Sequence, residues 1–350
     1  MGSEVKVYIV SWNGIDIGGG VERVVGLLKR IIEKKYQVII IDKVFVEKDR
    51  WLKKFCAVKN PVMPMILASI SAGKAIKKGD ILIGNGFNAP FVKKDIIFAH
   101  GCMYTYKVAT GSFPWGGSTL FEKIAMRNSR RILPVSREAQ AALVRYYKVK
   151  EEKTFVINNC VDTDRFYPVN KEEGGSRPVI LFCGRLEEAK GLGVLLQLAE
   201  YIQKRAEAEI SIATPDSKNK ELFSGMKNVQ IHVGLNMDEM NQFYNSGHVL
   251  FMPSKFEGFE MVTLEALSSG IPVVGSRVGA IKELLDIKFD GVFETSHGTV
   301  REVLQQLITL ADKYRFSMEE RLKLHGNMKK KFGLDEYASK ILRELEKCSH

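Results

Sequence analysis

Two pairs of charged side chains carry the strongest chemical signal in this chain of 350 residues. Arg185 and Lys190 lie five positions apart in a turn bounded by Gly184 and Gly191, after the apolar run at 179–183. Two cations at a strand's C-terminal end can neutralise a diphosphate; in a plain surface turn they would only be solvated. Glu257 and Glu265 fall within PSKFEGFEMVTLEALSSGIP, residues 253–272. Residues 249–252 before it read as a buried strand, 263–267 as the body of a helix, 268–270 as its stop and 271–274 as the next strand. A helix starting just after Gly258 would present unbonded N–H groups and partial positive charge, which suits a phosphate. With Glu257 before that helix and Glu265 about two turns along it, the segment fits a ligand with hydroxyls at both ends and phosphates between. A sugar nucleotide has that layout. A solvated helix bearing two glutamates is the plainer reading.

The first half of the chain offers weaker signals. Gly18-Gly19-Gly20 follows the strand-like residues 5–10 and precedes helical spacing over 21–32, with a strand at 38–41, so it is the first turn of a βαβ unit. The Gly-x-Gly-x-x-Gly fingerprint is absent, and no Gly-Lys-Ser/Thr follows. The glycines either form a tight turn or let a ligand approach the backbone closely. His100 ends the strand-like 96–98 segment, where ligands gather in a parallel sheet; a lone histidine serves structure as readily. Residues 102–119 read as a loop with Tyr104, Tyr106, Lys107, Phe113 and Trp115. Such a loop binds an acceptor, dips into a membrane, or covers the core with its own aromatics. Residues 60–79 read as a basic amphipathic helix after Pro64, with Lys74, Lys77 and Lys78.

These residues must be positioned by alternating strands and helices, twice over. The length suits two domains, and 45% hydrophobic with 27% charged residues is a globular composition. The boundary falls in the Asn-, Asp-, Pro- and Gly-rich stretch 158–178, giving domains 1–167 and 168–333, with an amphipathic helix over 334–350. No apolar run of 18 residues predicts a transmembrane helix, and residues 1–10 lack a signal-peptide layout. Five scattered cysteines without Cys-x-x-Cys spacing argue against a disulfide framework or a zinc site, and for a reducing cytoplasm. Asp162-Thr163-Asp164 has metal-site spacing but lacks further oxygen ligands, so no metal or cofactor is expected.

The net charge of +11 is uneven. Residues 1–170 hold 28 Lys and Arg against 15 Asp and Glu, while the remainder holds 24 against 26. A basic first half fits an anionic acceptor, an anionic membrane surface, or a merely solvated lysine-rich face. No nucleic-acid-binding module is present in the sequence, and nucleic acid is not expected as a partner.

Taken in order, these segments resemble the retaining glycosyltransferases of the GT-B fold, family 4, over most of the chain. The resemblance rests on Gly184-Arg185-Leu186…Lys190-Gly191 and on the 253–274 run. Weaker matches are Gly19-Gly20-Val21-Glu22, His100-Gly101, Val135-Ser136, residues 159–168 and residues 279–285. The resemblance implies an α/β chain of two Rossmann-like domains with parallel sheets facing a central cleft, the last helix returning to the first domain. It implies transfer of a hexose from a nucleoside-diphosphate sugar to an acceptor, either a saccharide or a lipid. Arg185 and Lys190 would bind the diphosphate, Gly184 would lie beside them, and Glu265 would take the ribose hydroxyls. Glu257 would meet the donor sugar, and the backbone of Gly258, Phe259, Glu260, Met261 and Val262 would touch sugar or phosphate. Gly19 and Gly20 would approach the diphosphate, and His100 would stand at the reaction centre. Tyr104, Tyr106, Lys107 and Trp115 would meet the acceptor, with the basic half resting peripherally on the inner face of a membrane.

Two residues depart from the family pattern. Glu260 stands where glycine is common, placing a carboxylate beside the anion site unless it points away. Cys160 replaces a hinge glycine, costing about 1 kcal/mol if that position needs positive φ. A GT-B phosphorylase, a dinucleotide-dependent enzyme on a similar sheet, or a non-catalytic sugar-nucleotide or membrane-binding protein are the other readings.

Overall fold

The structure is a computed structural model that describes residues 5–15, 19–111, 117–170 and 177–348. It divides into two compact units, one formed by residues 1–159 with 337–350, the other by residues 160–336.

The first unit is built on five parallel strands in the order β2-β1-β3-β4-β5: β1 (Lys6–Val10), β2 (Gln37–Ile41), β3 (Ile81–Asn85), β4 (Lys94–Ala99) and β5 (Ser129–Pro134). Every residue of β3 is buried, as near-continuous apolar strands of a two-sided parallel sheet should be. The helices are α1 (Gly20–Ile32), α2 (Lys43–Glu47), α3 (Met63–Ala75), α4 (Met103–Thr110), α5 (Ser118–Arg127) and α6 (Arg137–Ala142). On α1, Val24, Val25, Leu28, Ile31 and Ile32 form the buried stripe that its spacing foretold.

Two expectations for this unit fail. Helix α3 is not a basic surface helix. It ends at Ala75, before Lys77 and Lys78, and buries Met65, Leu67, Ala68, Ser69, Ser71 and Ala72. Ser69 Oγ donates to the Met65 carbonyl at 2.7 Å. The predicted loop at 102–119 contains α4 and the start of α5. Helix α4 was hidden because it buries none of its residues and so carries no apolar stripe. It ends on Gly111 at φ 70°, a left-handed stop that glycine adopts without cost.

The second unit carries six parallel strands in the order β11-β10-β9-β6-β7-β8: β6 (Val179–Cys183), β7 (Glu209–Thr214), β8 (Val229–Val233), β9 (Val249–Met252), β10 (Val273–Gly275) and β11 (Val292–Glu294). Its helices are α7 (Leu192–Gln203), α8 (Met237–Ser246), α9 (Met261–Ser268), α10 (Gly279–Asp286), α11 (Val300–Arg315) and α12 (Met318–Phe332). Helix α13 (Leu334–Glu346) follows, and from Tyr337 onward it belongs to the first unit. There Arg131 and Glu344 form an ion pair, the guanidinium lying 3.9 Å from the Phe155 ring centroid.

By packing, the division falls at Asn159/Cys160 rather than at 167/168. Residues 160–167 are bound into the second unit: the Val161 N–H donates to the Phe332 carbonyl at 2.9 Å, and Ser268 Oγ donates to the Phe166 carbonyl at 2.6 Å. Cys160 is not among the described non-glycine residues with positive φ, so it carries no left-handed strain.

Candidate active site

In the second unit the polar groups gather at the C-terminal ends of β6, β9 and β10. After β6 the chain makes a single 3-10 turn, residues Glu188–Lys190, and stops on Gly191 at φ 81°. Glycine is required there twice. The φ is left-handed, and a Cβ would collide with the Pro253 carbonyl that follows β9. This close approach stitches the two loops together. The Lys255 N–H donates to the Ala189 carbonyl at 2.9 Å, and Lys255 Nζ reaches Glu188 at 2.8 Å.

The stitch brings Lys190 and Glu257 together, as their charges allowed but their spacing did not reveal. Lys190 Nζ donates to Glu257 Oε1 at 2.6 Å, and Ser254 Oγ donates to the same oxygen at 2.8 Å. The lysine side chain is 21% exposed and the glutamate 9%, so the pair is largely out of water yet open at one side. An ammonium has three protons, and Glu257 takes one. Arg185 is 58% exposed and reaches Glu187 at 3.1 Å. Helix α9 begins at Met261 rather than directly after Gly258, and no side chain caps its N-terminus.

Three side chains of this segment face inward. Glu265 has no exposed surface, and its Oε2 accepts the Tyr244 hydroxyl at 2.8 Å. It ties α9 to α8. The Phe259 ring is 4% exposed and lies 6.3 Å from the Phe332 ring, so only its backbone could meet a ligand. Glu260 turns away from the anion site. Its Oε1 accepts Thr263 Oγ1–H at 2.7 Å, and its Oε2 accepts the Ala280 N–H at 2.8 Å, in the first turn of α10. Burial first, then the Glu257 charge, pushes its carboxyl well above the usual range. Gly279 makes room for it: φ there is 55°, and a Cβ would collide with Glu260 and Glu257.

In the first unit, His100 follows β4 and hydrogen-bonds Asn85 at the end of β3. Burial lowers its pKa to about 4, so the imidazole is neutral near pH 7. Asn85 was not singled out in the sequence. Its Nδ2 is buried without a hydrogen-bond partner among the described residues, and its one sequence signal was its place at a strand's C-terminal end. Gly19 precedes α1 without a side-chain cap, and a Cβ on Gly20 would meet nothing within 4 Å. Tyr104 stacks on Tyr146 with ring centroids 4.3 Å apart, and Lys107 is exposed on the same helix. That helix is held at its start by Glu122, which accepts the Met103 N–H at 2.8 Å and the Tyr147 hydroxyl at 2.5 Å. Burial raises the Glu122 pKa to about 7. Trp115 lies outside the described residues. Among those residues, no group of three or more His, Cys, Asp or Glu is placed to hold a metal.

The chain belongs to the glycosyltransferases of the GT-B fold. Residues 17–165 match Glycosyltransferase Family 4, and residues 177–313 match Glycosyl transferases group 1. It is 33% identical over 164 residues to the sulfoquinovosyl transferase of Arabidopsis thaliana, covering 44% of this chain and 32% of that protein. It is 26% identical over 252 residues to a D-inositol 3-phosphate glycosyltransferase of Xylanimonas cellulosilytica, covering 65% and 59%. The aligned parts thus span about a third to three-fifths of these curated relatives. Among solved structures, a sucrose-phosphate synthase from Thermosynechococcus elongatus superposes with a TM-score of 0.76 over 98% of this chain and 99% of that one, at 15% identity. HepE of Anabaena, solved with UDP-glucose, gives 0.69 over 98% and 100%, at 13% identity. At such identities the structures speak for the fold alone.

Proposed function

We propose that this protein transfers a hexose from a nucleoside-diphosphate sugar to an acceptor, with retention of configuration. The observation that carries the reading is the Lys190–Glu257 pair, held at 2.6 Å beside the uncapped start of α9. Negative charge grows on the diphosphate as it leaves. Two remaining Lys190 protons, the exposed Arg185 guanidinium and the first amides of α9 would stabilise it. Both hydrogen bonds to Glu257 fall on Oε1, which leaves Oε2 for a sugar hydroxyl. Glu257 therefore binds and orients; it is not assigned as a covalent nucleophile. The sugar becomes oxocarbenium-like, and the acceptor enters on the face the diphosphate leaves. No metal is needed in this scheme, because cations of the chain itself face the leaving group.

The acceptor is a saccharide or a lipid, and the basic first half suits one that is anionic or lies at an anionic membrane surface. No helix among the described residues is long and apolar enough to cross a membrane. Peripheral contact at the inner face predicts vesicle binding that requires anionic lipid and weakens as salt rises; salt-independent or absent binding would discard that part.

The test of the reaction is release of nucleoside diphosphate from UDP-, GDP- and ADP-sugars, with calorimetry to identify the base. Lys190→Ala and Arg185→Ala should each lower kcat by about 10²-fold or more. Near-normal turnover in both variants would sink the assignment.

A further inference from the structure

The ends of β3 and β4 share one polar contact whose direction decides what the first unit can recognise: His100 Nε2 against Asn85 Oδ1. The two strands run parallel with Asn85 opposite Phe98, so the asparagine and the histidine leave the sheet at the same end. Both backbones are pinned there. The Asn85 carbonyl accepts the Asn88 N–H at 3.1 Å and the Asn88 side-chain amide at 2.7 Å. The Gly86 N–H donates to the Phe98 carbonyl at 2.9 Å. On the far side, the Ala99 carbonyl, just before His100, accepts the Val135 N–H at 3.0 Å. Asn85 itself is 1% exposed. Its amide is a fixed group to which the imidazole must conform.

An amide oxygen only accepts, so the ring nitrogen that meets it must carry the proton. In a neutral imidazole with its proton on Nε2, Nδ1 keeps a lone pair. His100 is neutral near pH 7, since burial alone lowers its pKa and no charged side chain adds to the effect. The residue is nevertheless half-buried rather than enclosed. Nδ1 has no hydrogen-bond partner among the described residues and is not one of the covered unpartnered atoms, so it stays within reach of a ligand. A bare, reachable ring nitrogen selects for a donor. A hydroxyl fits it, whereas an ionised phosphate or carboxylate oxygen has no hydrogen to give and meets only the opposing lone pair.

We propose that Asn85 is a positioning residue: it holds His100 with the proton on Nε2 and so keeps Nδ1 as a hydrogen-bond acceptor for a ligand hydroxyl. The reverse pairing, with Asn85 Nδ2 donating to a bare Nε2, would put the proton on Nδ1 and suit it to a phosphate or carbonyl oxygen instead. One buried amide thus sets which part of a sugar phosphate His100 can recognise. That the hydroxyl belongs to a sugar rests on the sugar-transfer reading; the tautomer does not.

Long-range ¹H–¹⁵N spectra of the ¹⁵N-histidine-labelled protein at pH 7 test the proposal. The chain has six histidines, and the His100 signals are those lost in His100→Gln. They should show Nε2 protonated and Nδ1 bare. Asn85→Leu removes the acceptor, so the two tautomers should mix and kcat should fall about tenfold or more. Asn85→Asp still accepts from Nε2 and should keep the tautomer, but its charge favours the imidazolium. The His100 titration, followed in the same spectra, should rise from about 4 by about one pH unit or more, and the acid limb of the kcat profile should rise with it. A merely structural asparagine would produce neither effect. A proton on Nδ1 in the wild type overturns the proposal, as does an unmixed tautomer in Asn85→Leu or an unmoved His100 titration in Asn85→Asp. Melting curves check that both variants fold; should the leucine variant not, the wild-type spectrum and the aspartate variant still decide. If no sugar nucleotide is turned over by the wild type, the sugar-transfer reading falls while the spectra still judge Asn85.

Discussion

Glu260 gives the sharpest test of the site as a physical object. Its carboxyl pKa is raised from an ordinary 4.5 to about 7, chiefly by burial and then by the Glu257 charge. A carboxyl whose folded pKa is raised is easiest to bury when protonated. Its stability contribution is therefore complete below about pH 4.5 and is lost as pH rises through about 7. At 1.36 kcal/mol per unit, the loss by pH 8.5 is about 3 kcal/mol at most. Glu260→Gln removes the titration and keeps the geometry: the amide oxygen can accept the Ala280 N–H, and the amide nitrogen can donate to Thr263 Oγ1. The two proteins should melt together near pH 5. At pH 8.5 the glutamine variant should melt higher by roughly 6–12 °C, taking 2–4 °C per kcal/mol for a unit of this size. Differential scanning calorimetry between pH 5 and 8.5 makes the comparison. Parallel curves, or a wild type that gains stability as pH rises, would refute the inward, buried placement of Glu260.

Other substitutions probe the frame around it. Gly191→Ala forces a side chain into a left-handed φ and against the Pro253 carbonyl. It should cost about 2 kcal/mol or more in urea unfolding and should lower turnover by displacing Lys190; a neutral outcome would mean the two loops are not stitched as described. Tyr244→Phe strips the buried Glu265 of its hydroxyl donor and should destabilise the second unit by about 1–3 kcal/mol, read as a lowered Tm. An unchanged Tm there would mean that the carboxylate is served by other groups.

Much of the architecture was written in hydrophobic patterning. Apolar runs bounded by turns located β9 and β6 to the residue, and the helical spacing over 21–32 contains the buried stripe of α1. What escaped was structure without an apolar rhythm. Helix α4 fully buries none of its residues, and α3 mixes alanine and serine with Met65 and Leu67 on its buried face. The site was legible in part for a similar reason. Charge type and strand-end position pointed to Lys190 and Glu257, but the bond between them depends on Gly191 lying against Pro253, a contact across 62 positions that no local pattern encodes. The orientations of Glu260 and Glu265 were equally out of reach. A glutamate at the start of a short helix or on it reads as a solvent-facing charge, and it takes partners distant in the chain, Ala280 for Glu260 and Tyr244 for Glu265, to turn it inward.

The return of α13 to the first unit has a consequence in time. Tyr337 follows Asn159 by about 180 residues, all of which build the second unit. On a ribosome adding roughly 5–20 residues per second, the partner of Arg131 is made some 10–40 seconds after Arg131 itself. Through that interval the guanidinium that Glu344 will meet has no such partner, and the first sheet exists without its last helix. The chain's earliest-made half is thus completed last, and its assembly is gated by the synthesis of the other.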